Sequence, residues 1–117
     1  FAGVPDTIAE VVDANRHAAE KFHAMQRTFE DRENTRVRDL LDVVLMDAHD
    51  LLDDERLGRA LQAVWAEREG RPPGEYVPPP TSWRRRFEQL AEDHGFDTAS
   101  FDAAIAAAAD LWNSALA

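Results

Sequence analysis

The spacing of apolar residues constrains the fold of this chain more than any other feature. Apolar side chains in the first segment recur at steps of three and four residues: Ile8, Val11, Val12, Ala18, Ala19, Phe22, Met25 and Phe29. This period places them on one face of an α-helix, whereas a strand would need strict alternation. Pro5, Asp6 and Thr7 form a helix start signal, and Glu10 stands at capping-box spacing from Thr7. Later segments repeat the helical period and none alternates, so the sequence predicts an all-α fold.

Polar, glycine and proline residues interrupt this spacing and set the predicted helix boundaries. We expect a compact bundle of five helices in a single domain, 1–117, with helices at 7–32, 36–52, 55–69, 83–94 and 99–116. The stretch 70–80 contains consecutive prolines, which favour an extended and stiff strap between the third and fourth helices. Tyr76 and Val77 are expected to pack from this strap against the bundle.

Polar residues just before two of the helices are suited to cap them. Asp53 or Asp54 should cap the third helix, because short acidic side chains accept hydrogen bonds from the first free N–H groups. One of three polar residues, Asp97, Thr98 or Ser100, should start the fifth helix in the same way.

The apolar faces of the five helices identify the residues that should form the core. The predicted core comprises Val12, Phe22, Phe29, Leu40, Val44, Leu51, Leu61, Trp65, Phe87, Leu90, Ile105 and Trp112.

Composition excludes some functions and disfavours others. The chain has no cysteine, so it can form neither a disulfide nor a thiolate metal site. Its formal charge of −10 repels phosphate backbones, which disfavours binding to nucleic acid. No apolar run approaches the roughly 20 residues that a membrane span needs, and no signal-peptide pattern is present at the first residues, so we expect a cytoplasmic protein.

The second predicted helix combines a broad apolar face with many carboxylates. Seven acidic residues fall within positions 39–55. An apolar patch with a charged rim is typical of a protein interface. The leading hypothesis is therefore a non-enzymatic interaction module, such as an accessory subunit, inhibitor or antitoxin-like partner, that binds a basic protein and self-associates. The predicted partner-binding residues are Asp39, Asp42, Leu45, Met46, Asp47 and Asp50.

Histidine and carboxylate residues give an alternative hypothesis, a bundle that binds a divalent metal or a small ligand. Glu20 and His23 have the Glu-x-x-His spacing of carboxylate metal bundles, and His17 lies on the same outward face. His49 has aspartates near it on the second helix. The predicted metal ligands are therefore His17, Glu20, His23 and His49, although a solvated surface is the simpler interpretation of these residues.

A third hypothesis is an enzyme. Arg16 and His23 are separated by six residues, and His17 follows the arginine. This spacing resembles the Arg-x(4–6)-His motif of HEPN ribonucleases, which are also all-helical. The resemblance covers eight residues and implies that Arg16 and His23 would act in RNA cleavage. The motif here lies on the first helix, whereas in that family it lies on a late one.

Four further residues carry local structural predictions. Asn15 and Gln26 intrude near the apolar face of the first helix, where a buried amide needs a hydrogen-bond partner. His94 lies in the last turn of the fourth helix and should bond a free carbonyl there. Gly95 should close that helix in the left-handed conformation.

Overall fold

The residues that the structure describes, 13–27, 36–96 and 100–117 of a computed structural model, form helices and loops and contain no strand. The helices are α1 (Ala14–Gln26), α2 (Val37–Ala48), α3 (Asp54–Glu69), a short 3₁₀ turn (Thr81–Trp83), α4 (Arg84–Asp93) and α5 (Phe101–Ala115). The predicted all-α fold is confirmed, and the five α-helices of these residues follow one another in the predicted order.

Side-chain caps fix the first residue of three helices. Asp13 accepts a hydrogen bond from the Asn15 N–H at 3.0 Å. Asp53 accepts from the Arg56 N–H at 2.9 Å, and Ser100 accepts from the Ala103 N–H at 3.0 Å. Each bond satisfies one of the amide groups that a helix leaves free at its start. The predicted roles of Asp53 and Ser100 are confirmed.

The first helix is shorter than its apolar spacing predicts. Asp13 has extended backbone angles (φ −77°, ψ 113°), and so has Arg27 (φ −69°, ψ 145°). One continuous helix over 7–32 is therefore wrong, because the backbone is not helical at Asp13, which caps the start of α1, or at Arg27 after its end. Residues 7–12 and 28–32 lie outside the described residues.

The second helix ends at Ala48 rather than at residue 52. Asp50 adopts a left-handed φ of 59°, and the Leu51 N–H donates to the Met46 carbonyl at 3.0 Å. This closure turns the chain away from the core. Leu51 is consequently 54% exposed, so its predicted place in the core is wrong.

The fourth helix closes with the same motif, as the sequence predicts. Gly95 has φ 76°, and the Phe96 N–H donates to the Ala91 carbonyl at 2.7 Å. The Nδ1 atom of His94 lies 2.9 Å from the Leu90 carbonyl oxygen, which confirms the predicted capping role.

Most of the predicted core is confirmed. Ile105 is only partly buried, and Val12 and Phe29 lie outside the described residues. The confirmed buried residues are Phe22, Leu40, Val44, Leu61, Trp65, Phe87, Leu90 and Trp112.

Trp112 joins α5 to three other parts of the structure. The centroid of its ring lies 5.4 Å from that of Phe22 and 5.2 Å from that of Trp65, both in edge-to-face pairs. The distance to the ring centroid of Tyr76 is 5.9 Å. Its indole N–H donates to the Gly74 carbonyl at 3.1 Å, as a buried Trp requires. The loop 70–80 is thereby attached to the core through Gly74 and Tyr76. Val77, in contrast, is 58% exposed, so the prediction that it packs inward is wrong.

Helix α1 lies between α2 and α3 and contacts both. Helix α2 also contacts α4 and α5, and α3 contacts α5. Successive residues of α1 consequently face different neighbours, which brings separate groups of polar side chains to its two flanks.

The longest helix of the described ranges is α3, with 16 residues. None of the described helices has the length and apolar character needed to cross a bilayer.

The contact between α3 and α5 depends on a glycine. A Cβ atom at Gly58 would overlap the carbonyl oxygen of Ala115. We expect Gly58→Ala to lower the free energy of unfolding by ~1–3 kcal/mol, the usual cost of overpacking a close contact. Chemical denaturation followed by circular dichroism measures this change.

Gly74→Ala is the matched control, because nothing lies within 4 Å of the Cβ position at Gly74. Its expected effect stays within about 1 kcal/mol. Equal effects of the two substitutions would contradict the close approach of α3 and α5.

Candidate functional site

A cluster of four charged side chains joins α1 to α2. The Lys21 ammonium lies 3.0 Å from Asp42 Oδ2 and 3.4 Å from Asp39 Oδ1. The Arg36 guanidinium lies 2.9 Å from the other oxygen of Asp39. Lys21, Arg36, Asp39 and Asp42 are called the Lys21 cluster below.

Asp39 is the most unusual member of the Lys21 cluster, because its residue is only 6% exposed. Burial of a carboxylate costs roughly several kcal/mol of hydration free energy. A buried carboxylate keeps its charge only when it is paired and hydrogen-bonded. Lys21 and Arg36 supply that compensation, one at each oxygen. Lys21 and Asp42 are themselves about one quarter exposed, so the cluster opens to solvent on one side.

The burial of Asp39 contradicts one prediction made from the sequence. The sequence placed Asp39 and Asp42 on an exposed acidic rim, which is wrong for Asp39. The reason is that α2 has neighbours on several sides, so its buried face is wider than its apolar stripe; it comprises Val37, Asp39, Leu40, Leu41, Val43 and Val44.

Sequence reasoning missed Lys21. A signal was available, since Lys21 is the only lysine in a chain with 13 basic residues. Lys21 also directly precedes Phe22, which is fully buried, so the Lys21 side chain must begin close to the core. Asp39 and Asp42 stand three residues apart and therefore side by side on α2. Only the packing of α1 on α2 brings the lysine between them.

The other two buried polar residues of the described ranges have local explanations. Asn15 accepts a hydrogen bond from the Asp53 N–H at 2.9 Å, which ties the start of α1 to the start of α3. His23 Nε2 lies 2.7 Å from Glu69 Oε2, and its ring meets the Trp65 ring edge-on at 5.1 Å. Asn15 thus has the partner that a buried amide needs.

Gln26 is different. Its Nε2 atom is buried and makes no hydrogen bond to any of the described residues. The side chain lines a cleft with His23 and Arg71 near the ends of α1 and α3. The sequence identified this amide as one that needs a partner, and none of the described residues bonds its nitrogen.

The four predicted metal ligands are not brought together. His17 and His49 are exposed on different helices or helix ends, and Glu20 is paired with Arg16 at 2.9 Å. His23 faces Glu69 instead. Across the described part of the chain, no three His, Asp or Glu side chains converge closely enough to hold a metal ion.

Arg16 and His23, the pair with ribonuclease-like spacing, face two different carboxylates of α3. The Arg16 guanidinium binds Glu67 with two bonds, at 2.8 and 3.2 Å, and Glu20 with a third. The hydrogen bonds to Glu67 and Glu20 raise the pKa of Arg16 above its ordinary value. The same pairing lowers the pKa of Glu67.

The remaining predicted partner-binding residues divide into two groups. Leu45 and Met46 are partly buried and pack against the core. Asp47 and Asp50 are exposed at the end of α2, next to the exposed Leu51.

The fold and the Lys21 cluster define an all-helical protein in which one buried carboxylate is held by a lysine and an arginine. Residues 4–112 match the family model described as nucleotidyl transferase AbiEii toxin, type IV toxin–antitoxin system. The chain belongs to this family, since the match covers far more than half of its 117 residues. The chain matches no curated protein and no solved structure.

The family match associates the chain with toxin–antitoxin systems. The ribonuclease hypothesis based on the spacing of Arg16 and His23 stays a prediction.

Proposed function

We propose that this protein takes part in nucleotidyl transfer and that Lys21, Asp39 and Asp42 belong to the transferring site. The observation that carries the proposal is the burial of Asp39, 6% exposed, beside a lysine and a second aspartate. The description of the family, a nucleotidyl transferase toxin, supports the same reaction class.

Nucleotidyl transfer sets defined chemical requirements for such a site. An acceptor oxygen attacks the α-phosphorus of a nucleoside triphosphate, the bond from that phosphorus to the β-phosphate oxygen breaks, and diphosphate leaves. Negative charge builds up on the phosphoryl and leaving oxygens, so stabilisation of that charge and correct orientation provide most of the catalysis.

The residues of the Lys21 cluster match these requirements. The Lys21 ammonium has three N–H donors and can bind phosphate oxygens as a point charge. Asp39 and Asp42 accept hydrogen bonds only, so either could take the proton of the acceptor hydroxyl. Arg36 holds one oxygen of Asp39 at 2.9 Å and thereby fixes the orientation of that carboxylate.

Two aspartates side by side are the type of ligand that Mg²⁺ takes in phosphoryl-transfer sites. Here the Lys21 ammonium lies between Asp39 and Asp42, and Arg36 binds the other oxygen of Asp39. These carboxylates are therefore arranged around cationic side chains and do not fit a divalent cation as they stand, so charge stabilisation is assigned to Lys21.

Substitutions within the Lys21 cluster test the proposal. Lys21→Met and Asp39→Asn should each lower transfer of label from α-³²P nucleoside triphosphates to host-cell fractions by about 100-fold or more, the usual effect of losing one charge-stabilising group. Growth of a bacterial host that expresses the wild-type chain should arrest, and either substitution should relieve the arrest.

Asp110→Asn is the matched control, because Asp110 is an exposed aspartate of α5 that belongs to no proposed site. It should leave both readouts within about twofold of wild type, since its carboxylate forms no ion pair with the other described residues. Full activity of Lys21→Met, or equal loss in Asp110→Asn, would contradict the proposed site.

A second proposal concerns protein binding and keeps part of the surface predicted from sequence. We propose that Asp47, Asp50 and Leu51, called the acidic corner, bind a basic protein partner. Leu51 is a large apolar side chain at 54% exposure. Asp47 and Asp50 beside it form no ion pair within the described residues. Unpaired acidic residues around an apolar side chain would attract a basic partner and then retain it through apolar contact.

The structure changes which residues should be used as probes. Asp39 and Asp42 belong to the Lys21 cluster, and Leu45 and Met46 pack against the core. Charged substitutions at Leu45 or Met46 would therefore destabilise the fold as well as any interface. Leu51 is the better probe, and the prediction of self-association remains to be tested with it.

Leu51→Asp should abolish co-purification of a stoichiometric partner from native cells, because it replaces the apolar contact with a like charge. Val77→Asp is the control, since Val77 is equally exposed, at 58%, on a different loop. Binding should also slow with added salt. A partner that survives Leu51→Asp, or that is lost equally in Val77→Asp, would contradict this surface.

A further inference from the structure

Three arginines line one cleft between α1 and α3. The cleft has a volume of about 330 Å³ and is lined by Asp13, Arg16, Arg56, Arg59 and Ala60. Three guanidinium groups around one opening are unexpected in a chain whose formal charge is −10. The positive charges of neighbouring guanidinium groups repel one another, and nearby anionic groups compensate this repulsion.

The protein itself neutralises two of these arginines. Arg16 is held by Glu67 and Glu20, so its guanidinium has a fixed place at the edge of the cleft. Arg59 lies 3.0 Å from Glu55 through one of its nitrogens and keeps further donors unused.

Arg56 is different, because its guanidinium makes no ion pair within the described residues. Its backbone N–H donates to Asp53, but that bond leaves the side chain unengaged. Asp13, the one carboxylate among the described residues that line the cleft, already accepts from the backbone and side-chain nitrogens of Asn15 at 3.0 and 3.3 Å. The cleft therefore contains a surplus of donors.

We infer that this arginine cleft binds a phosphate oxyanion. Guanidinium groups present parallel N–H donors that match the oxygens of phosphate, and several of them around one cleft fix its orientation. A volume of about 330 Å³ admits such a group with its water shell. The donors are displayed from two packed helices, so they are more rigidly placed than arginines on a loop.

The arginine cleft is separate from the Lys21 cluster. Arg16 and Lys21 are five residues apart on α1, which turns their side chains about 140° away from each other. Arg16 accordingly contacts Glu67 of α3, and Lys21 contacts Asp42 of α2. The inference does not depend on the proposed transfer reaction.

Calorimetric titration of the full chain with inorganic phosphate, at constant ionic strength set with chloride, tests the inference. Arg56→Gln should weaken phosphate binding at least tenfold. Because the Arg56 side chain forms no ion pair with the other residues that the structure describes, the variant should fold and melt like wild type. Arg85→Gln is the matched control, since Arg85 is an exposed arginine of α4, and it should bind within twofold of wild type.

A second titration, with a ten-nucleotide single-stranded oligonucleotide, distinguishes between two sources of the phosphate group. Binding tighter than that of phosphate, and weakened by Arg56→Gln, indicates a polynucleotide phosphate. Binding no tighter than that of phosphate indicates a free or terminal phosphate.

Three results would overturn the inference. The first is the absence of saturable phosphate binding by the wild-type chain. The second is unchanged binding in Arg56→Gln. The third is equal weakening in Arg56→Gln and Arg85→Gln. If Lys21→Met loses phosphate binding and Arg56→Gln does not, the anion binds in the Lys21 cluster instead. That result would support the transfer proposal and reject the arginine cleft.

Discussion

The buried carboxylate of Asp39 imposes the strictest condition on this structure. A charge that is nearly excluded from water has to be matched by opposite charge at close range, and here Lys21 and Arg36 provide it. The match requires α1 to lie against α2 in one register, because a shift of one residue along α1 would turn Lys21 by about 100° away from the aspartates. A pair of apolar side chains would hold α1 against α2 without requiring this one register. The proposed transfer site would give a reason for charge at this place.

The aromatic core makes that register possible. Phe22, the neighbour of Lys21 in sequence, is fully buried and packs against Trp112, whose indole is fixed by Trp65 and by the Gly74 carbonyl. The close approach of α5 to Gly58 brings Trp112 to this position. Polar groups on the two flanks of α1 are then presented from a rigid helix, with Lys21 toward α2 and Arg16 toward α3. Sites supported in this way keep their geometry more precisely than sites on loops.

The sequence predicts the fold class and most of the core because these depend on local periodicity, whereas the site depends on packing. The spacing around Phe22, Leu61 and Phe87 is sufficient to bury them. Two predicted helix boundaries were wrong where a single polar residue acts on the backbone: Asp13 caps the start of α1, and Asp50 closes α2 in the left-handed conformation. The Lys21 cluster was missed because its members come from two helices, and no pattern within either helix shows how α1 meets α2. The acidic residues of α2 looked alike in sequence, yet Asp39 is buried and Asp47 is exposed.

The central claim is that the Lys21 cluster is present for function and is not required for stability. The most direct measurement is the free energy of unfolding of the double variant Lys21→Met/Asp39→Leu, compared with each single variant. Removing Lys21 alone leaves the buried Asp39 carboxylate paired with Arg36 and should cost ~1–3 kcal/mol, whereas replacing both Lys21 and Asp39 with apolar side chains should be neutral or stabilising by about 1–4 kcal/mol. The account predicts a double variant at least as stable as wild type. A double variant as unstable as the single variants would contradict it and would show that the ion pairs hold α1 to α2.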